Sequence, residues 1–192
     1  SAYWKPMTAM PANTQPQIDI SIEDERWNNI LPESEIYAII DHICATLPLD
    51  HDLQGLEGDF EVSITLCDDT FIQKINKEWR DKNKATNVLS FPQFDDIAEE
   101  TAMLPHGVAA PIGDIFIAYD TVERESIEQD KTMHAHSTHM FIHGFLHLIG
   151  YDHIEYDEAE EMENLEIRIL ERINIANPYE TMYTENNVHI KK

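Results

Sequence analysis

The sequence predicts an α+β fold: a single domain with one four-stranded sheet and helices mostly on one face. Four short segments are apolar or alternate between apolar and polar residues, which is typical of strands. Five longer segments carry apolar residues at helical spacing, and the two kinds do not follow a regular βαβ order. The 192 residues are enough for one domain with a sizeable core and too few for two.

The four predicted strands differ in pattern. Isoleucines alternate in the first and apolar residues alternate in the second, so each of these strands should bury one face. The third is short and is stopped by Pro92, and the fourth is a continuous β-branched run of the kind found in buried strands. A long acidic loop is expected between them. In order, the strands should cover residues 17–22, 60–66, 87–91 and 113–119.

Helix boundaries follow from capping signals. Pro32 opens the first helix, Asp157 caps the last, and Gly150 is a natural left-handed end for the fourth. The apolar faces include Trp79 in the second helix and Ile127 in the third, both of which are expected to face inward. The five helices should begin near residues 33, 69, 121, 132 and 157.

The domain is expected to span residues 17–179, between a poorly ordered lead-in at 1–16 and a tail at 180–192. No secretory signal is visible, and no stretch reaches the roughly 20 apolar residues of a membrane helix. Cys44 and Cys67 form no paired motif and are expected to be buried thiols. These features predict a cytoplasmic protein with no membrane partner.

The charge is strongly acidic but unevenly distributed. Thirteen Lys and Arg face 37 Asp and Glu, for a net charge of −24, which by itself argues against a nucleic-acid partner. However, five of the basic residues lie close together between positions 74 and 84. This segment is either a solvated turn or a local cationic surface. Its basic residues are Lys74, Lys77, Arg80, Lys82 and Lys84.

Three histidines have the spacing of a catalytic metal site. His143 and His147 are four residues apart, so a helix projects both from one face. Gly150 then ends the helix and allows His153 to fold back as a third ligand. The spacing matches the metal-binding half of the metzincin signature, and three protein ligands leave a fourth position for water. A helix that binds Zn²⁺ is therefore predicted, with another divalent transition metal such as Ni²⁺ as the alternative.

Other residues near this motif have open roles. His139 and His143 are a rival ligand pair, and His134, His136 and His139 could otherwise be surface or supporting residues. Asp152 either orients a ligand or is an exposed turn carboxylate.

Gly144 stands where zinc proteases of this spacing carry their glutamate base. Its presence argues against peptide hydrolysis, whereas phosphodiester cleavage also needs a cation for the developing charge. Arg80 could supply that charge if it lies beside the metal.

The motif HGFLHLIGYDH at 143–153 resembles the H-G-x-L-H-L-x-G-Y-D-H signature of the YbeY family, bacterial rRNA maturation factors described as single-strand-specific, metal-dependent endoribonucleases. Two further motifs are similar to those of the family. They are RDKNKATNVLSFP at 80–92 and IGDI at 112–115.

This resemblance implies a mixed sheet, a zinc ion on His143, His147 and His153, and Arg80 as the catalytic or substrate-binding arginine. It also implies 16S rRNA 3′-end processing and ribosome quality control. The implied partners are single-stranded RNA, the 30S and 70S ribosome, ribosomal proteins and an assembly GTPase. Lys77, Lys82 and Lys84 would steer the RNA electrostatically.

The arginine motif departs from the family pattern at two positions, because Asn83 replaces the usual Asp and Ala85 replaces a common Pro. Asn83 keeps a short polar side chain but loses a negative charge. Two other functions remain open at this point: a non-catalytic ribosome-assembly factor with a structural metal, and a zinc metallopeptidase. The latter lacks an evident Met-turn, since Met162 falls on a predicted core face.

Overall fold

Four strands form one mixed sheet in the computed structural model, which describes residues 15–105 and 107–180. The spatial order is β1 (Gln17–Ile22), β2 (Phe60–Cys67), β4 (Ala110–Ala118) and β3 (Val88–Pro92). The first three are parallel, and β3 runs antiparallel to β4 at the edge. The predicted mixed, four-stranded α+β fold is therefore confirmed. Apart from residues 15, 16 and 180, the predicted lead-in and tail lie outside the described residues.

Helices cover the two faces of the sheet unequally. The main core lies between the sheet and the helices α1, α5 and α6, whereas α2 covers a smaller apolar cluster on the opposite face. The alternation in β4 shows the division, since Ile115 and Ile117 enter the main core and Phe116 enters the smaller cluster. The helices are α1 (Glu33–Thr46), α2 (Asp69–Arg80), α3 (Ile97–Thr101), α4 (Tyr119–Glu128), α5 (Met133–Leu148) and α6 (Tyr156–Arg172).

Two predicted core residues are exposed. The buried face of α4 includes Val122 and Ser126. Ile127 lies on a different side of the helix, and 74% of its surface is exposed. Trp79 is 68% exposed, because the last turn of α2 extends beyond the small apolar cluster that buries Ile72.

Several predicted boundaries also change. Glu155, rather than Asp157, caps α6, and it forms a capping box with Glu158. The expected loop at 93–111 contains the short helix α3, and β4 begins at Ala110 rather than at Gly113. By contrast, the end of α5 agrees with the prediction, since Gly150 has a positive φ of 104°.

Both cysteines are free thiols; Cys67 is buried, as predicted, whereas Cys44 is only half-buried. Burial raises the pKa of Cys44 to about 11 and that of Cys67 to about 12, so both stay protonated at neutral pH. In the part of the chain that the structure describes, no helix has the length and apolar character needed to cross a bilayer.

Candidate metal centre and active-site cleft

Three imidazoles converge at the C-terminal end of α5. His143 and His147 project from the same face of the helix, and their Nε2 atoms are 3.0 Å apart. After Gly150 the chain turns back and places the ring of His153 5.0 Å from that of His147, centroid to centroid. One ligand atom from each residue lies within 4.8 Å of the other two, so this triad could hold a metal ion. The structure thus brings the three predicted ligands together.

The hydrogen bonds of the two helical histidines fit a metal. Nδ1 of His143 lies 3.0 Å from a carboxylate oxygen of Glu166, and Nδ1 of His147 lies 2.9 Å from the carbonyl of Tyr151. Both partners are acceptors, so each Nδ1 carries the proton and each Nε2 carries a free lone pair. Two Nε2 lone pairs on atoms 3.0 Å apart form a donor set that suits a cation.

The protonation of His147 agrees with this arrangement. Burial lowers the pKa of His147, and repulsion from His143 and His153 lowers it further. The ring is therefore neutral at physiological pH, which is the form that binds a metal. His153 is exposed to solvent, and the triad consequently opens onto the protein surface.

Glu166 is a functional candidate that the sequence analysis missed. It lies on α6, 23 residues after His143, and its side chain is fully buried. Burial raises the pKa of Glu166, but hydrogen bonds from His139 and His143 outweigh that effect and hold the pKa at about 2. A glutamate on the apolar side of a predicted helix was the available signal, since buried glutamates are rare unless they are paired.

The other histidines of α5 are not ligands in this arrangement. His134 is exposed and pairs with Glu35, whereas His136 and His139 are buried. Nε2 of His139 contacts Glu166, so the rival pair of His139 with His143 is not formed among the described residues. Asp152 accepts a hydrogen bond from the backbone N–H of His153 at 2.7 Å, so it shapes the turn rather than orienting a ring.

Gly144 packs α5 closely against the sheet. A Cβ at this position would lie 2.9 Å from Cγ2 of Val88, 3.1 Å from Oγ of Ser90 and 3.2 Å from Cγ2 of Ile115. Glycine is therefore required by packing, and a glutamate could not occupy this position without moving the helix away from β3 and β4. The close packing of α5 on β3 and β4 thus explains why this position carries glycine and not the glutamate of zinc proteases.

Arg80 and the three histidines line the same cleft, which has a volume of about 550 Å³. Arg80 is the last residue of α2, and its Nη2 donates a 3.0 Å hydrogen bond to the carbonyl of Ser90 on β3. The guanidinium carbon also lies 5.2 Å from the centroid of the Phe91 ring. The edge strand β3 thus holds Arg80 in the wall of the cleft that the histidine triad also lines.

Among the described residues that line the cleft, Arg80 is the only Lys or Arg. Asp95 and Asp152 contribute acidic groups to the cleft wall. Arg80 is therefore the cationic side chain in the wall of this cleft.

The basic segment after α2 has its own internal supports. Buried Asn76 donates from Nδ2 to the carbonyl of Lys84 at 2.9 Å. Asn83, at the position where the family usually has Asp, accepts a 3.1 Å hydrogen bond from Gln73 through its side-chain oxygen. An aspartate could make the same contact, so the substitution preserves this loop.

The three predicted RNA-steering lysines are not brought into the cleft. All three are exposed, and they lie on the surface around the end of α2 and in the segment that follows it. They are Lys77, Lys82 and Lys84.

Comparison with known proteins decides the family. The sequence profile of the family described as Endoribonuclease YbeY matches residues 20–174, which is most of the chain and includes the whole triad and Arg80. The chain belongs to the YbeY family. The resemblance seen in the sequence motifs is thereby confirmed.

Curated YbeY proteins match over most of their own length. Endoribonuclease YbeY of Agrobacterium fabrum is 44% identical over 167 residues, covering 84% of this chain and 94% of the relative. Endoribonuclease YbeY of Rhizobium leguminosarum bv. trifolii is 54% identical over 121 residues, covering 62% and 67% respectively. The solution structure of TM1509 from Thermotoga maritima is 21% identical, with a TM-score of 0.46 over 81% of this chain and 91% of that one, a likeness too low to support inference about function.

Proposed function

We propose that this YbeY-family endoribonuclease cleaves single-stranded RNA in a metal-dependent hydrolysis, with the metal on His143, His147 and His153 and with Arg80 holding the scissile phosphate. The observation that carries the proposal is the shared cleft, which is lined by one guanidinium and by a histidine triad that could hold a metal ion. Zinc is the proposed ion, because a set of three neutral imidazoles suits it.

The metal would be held by Nε2 of His143 and of His147 together with one nitrogen of the His153 ring. A zinc ion bound there supplies Lewis-acid charge and a water of lowered pKa, about 7 in comparable sites. Among the described residues no fourth His, Cys, Asp or Glu joins the triad, and His153 is exposed. This openness favours a catalytic site over a closed structural one, and so it disfavours the structural-metal alternative.

Arg80 supplies a positive charge for phosphate, which a metallopeptidase would not need. Its planar guanidinium can hold two phosphate oxygens at once and can stabilise the charge that develops on them during cleavage. The hydrogen bond to the Ser90 carbonyl and the Phe91 ring fix the guanidinium on one side and leave other N–H groups for the substrate. The position where zinc proteases carry their carboxylate base is Gly144 in this protein. The packing around it leaves no room for a side chain.

The biological role that we propose is maturation of rRNA, including 16S rRNA 3′-end processing, and ribosome quality control in the cytoplasm. The proposed partners are the 30S and 70S ribosome, ribosomal proteins and an assembly GTPase. Lys77, Lys82 and Lys84 would attract the RNA backbone from outside the cleft, which suits an otherwise acidic protein.

The deciding experiment compares wild type with Arg80→Ala on a 16S 3′-end precursor, with metal content measured on the same preparations. Wild type should contain one metal per chain and cut the precursor, and EDTA should stop the cleavage. Arg80→Ala should keep the metal and lose cleavage, whereas the exposed arginine variant Arg172→Ala serves as a matched control that retains both.

Three outcomes would overturn the proposal. Normal cutting by Arg80→Ala would exclude a phosphate-holding role for this arginine. Binding to 30S particles that survives His147→Ala, without cleavage by the pure wild-type protein, would favour the non-catalytic assembly factor. Hydrolysis of casein would favour a peptidase.

A further inference from the structure

We propose that Glu166 is a positioning residue for the metal centre, and that it sets the metal affinity by holding the His143 ring in its ligating orientation. The inference rests on the proposed metal site, and it adds a residue of α6 that none of the sequence motifs contains. It also makes Tyr179, near the end of the described chain, part of the support of the site.

The carboxylate of Glu166 is fully buried yet well supplied with donors. One oxygen faces Nδ1 of His143 at 3.0 Å. The other contacts Nε2 of His139 and accepts a 2.9 Å hydrogen bond from the hydroxyl of Tyr179. A buried carboxylate without partners would be strongly unfavourable, so three donors on two oxygens explain how a negative charge is kept in this position.

The two helical ligands are held by different kinds of acceptor. Nδ1 of His147 faces a neutral backbone carbonyl, that of Tyr151, whereas Nδ1 of His143 faces a negative charge. A carboxylate behind a ligating imidazole fixes its tautomer, orients the ring and makes the coordinating nitrogen a better electron donor. Glu166 therefore gives His143 a charged hydrogen-bond acceptor, whereas the acceptor seen for Nδ1 of His147 among the described residues is neutral.

The arrangement also connects three parts of the fold. His139 lies one turn before His143 on α5, Glu166 lies on α6, and Tyr179 lies in the segment after α6. The Tyr179 hydroxyl is also 3.3 Å from Nε2 of His139, so it contacts both members of the His139–Glu166 pair. We therefore expect the removal of this hydroxyl to weaken metal binding without touching a ligand.

The test is a titration of the purified, metal-free protein with Zn²⁺ in competition with a chromophoric chelator. Glu166→Gln keeps the shape of the side chain and removes its charge, and we expect it to weaken zinc binding about 10- to 100-fold. Glu171→Gln makes the same charge change at an exposed position of the same helix and should bind zinc like wild type. Tyr179→Phe should show a smaller loss, about threefold to tenfold.

A purely structural role is separated by two further readouts. Circular dichroism of each variant shows whether the fold is intact, and the visible spectrum of the Co²⁺-loaded protein reports the ligand field directly. A folded Glu166→Gln with an altered Co²⁺ spectrum and weaker Zn²⁺ binding supports the inference. A folded Glu166→Gln with wild-type affinity and spectrum overturns it.

If Glu166→Gln does not fold, Tyr179→Phe decides: weaker zinc binding supports the inference, and unchanged binding overturns it. If the wild type itself binds no zinc, the proposed metal site fails and this inference fails with it. The two failures are therefore distinguishable. If only this inference fails, wild type and variants bind zinc alike, whereas if the proposed metal site fails, no preparation binds zinc.

Discussion

Ser90 and Gly144 join the edge strand β3 to the helix α5, since Oγ of Ser90 donates a 2.8 Å hydrogen bond to the carbonyl of Gly144. The backbone carbonyl of the same serine accepts the 3.0 Å hydrogen bond from Arg80. One buried residue of β3 thus contacts both sides of the cleft. The distance between the arginine and the histidine triad depends on how closely α5 approaches β3.

Gly144→Ala should therefore destabilise the protein. The added Cβ would lie within 3.2 Å of three side chains, and overpacking of this kind typically costs about 1 to 3 kcal/mol. Denaturant unfolding measures the change, with Gly55→Ala as the control because a Cβ there has no neighbour within 4 Å. An alanine at 144 that leaves the free energy of unfolding unchanged would show that α5 can shift away from the sheet.

Arg80→Lys should fail to replace arginine. Lysine keeps the positive charge but cannot form a two-pronged contact with phosphate, and loss of one preorganised donor commonly lowers kcat about 100-fold or more. We expect this loss with unchanged metal content, measured by single-turnover cleavage of single-stranded RNA. Near-normal cleavage by the lysine variant would indicate that charge alone is sufficient at this position.

The exposed lysines should act on RNA binding rather than on the cleavage step. Replacing Lys77, Lys82 and Lys84 together by Ala should weaken binding and make it less sensitive to salt, by about 0.7 in the log–log slope for each lost phosphate contact. Binding isotherms at several salt concentrations measure this, and kcat should stay near the wild-type value. A slope equal to that of wild type would place the RNA elsewhere on the surface.

Metal removal should lower the thermal stability of the protein. A ligand present at 100 times its Kd stabilises the folded state by about 2.7 kcal/mol, so EDTA should lower the Tm of the loaded protein. His147→Ala should lose most of this response, whereas His134→Ala, an exposed histidine of the same helix, should retain it. An equal response in both variants would argue that the metal binds outside the triad.

His51 should make the stability of the metal-free protein depend on pH. Burial lowers the pKa of His51 below its usual value of 6.5, despite the opposing effect of the Ile149 carbonyl, which faces Nε2 at 3.1 Å. Nδ1 of His51 accepts a 3.0 Å hydrogen bond from the Leu53 N–H, and a proton on Nδ1 would break it. The pKa of His51 is therefore lower in the folded protein than in the unfolded chain, so acid protonates the unfolded chain first.

The sign follows from that difference in pKa. The contribution of His51 is present above about pH 6.5 and is lost as the pH falls below that value toward the lower pKa of the folded state. The difference in free energy of unfolding between wild type and His51→Gln should accordingly become smaller as the pH is lowered, with EDTA present throughout. A gap that is constant with pH would exclude His51 as the titrating group.

The sequence was informative wherever the determinant was local. The spacing of His143 and His147, the helix end at Gly150 and the alternation in β2 each depend on a few adjacent residues and on fixed backbone periodicities. The same local reasoning failed for Ile127 and Trp79, because an apolar residue is buried only where another element covers it. Local capping signals also competed at the start of α6, where Glu155 formed the capping box instead of Asp157.

By itself, the sequence determined the resemblance to the family, the four strands, five of the six described α-helices, and the identity of the three candidate ligands. Only the tertiary structure decided that Arg80 shares their cleft, that Gly144 is required by packing, and that Glu166 lies behind His143. The physical reason is that these relationships join separate elements: the antiparallel pairing of β3 with β4, the close approach of α5 to both strands, and the packing of α6 on α5. The periodicity of residues within one helix or strand carries no information on the distances between separate elements in the folded protein.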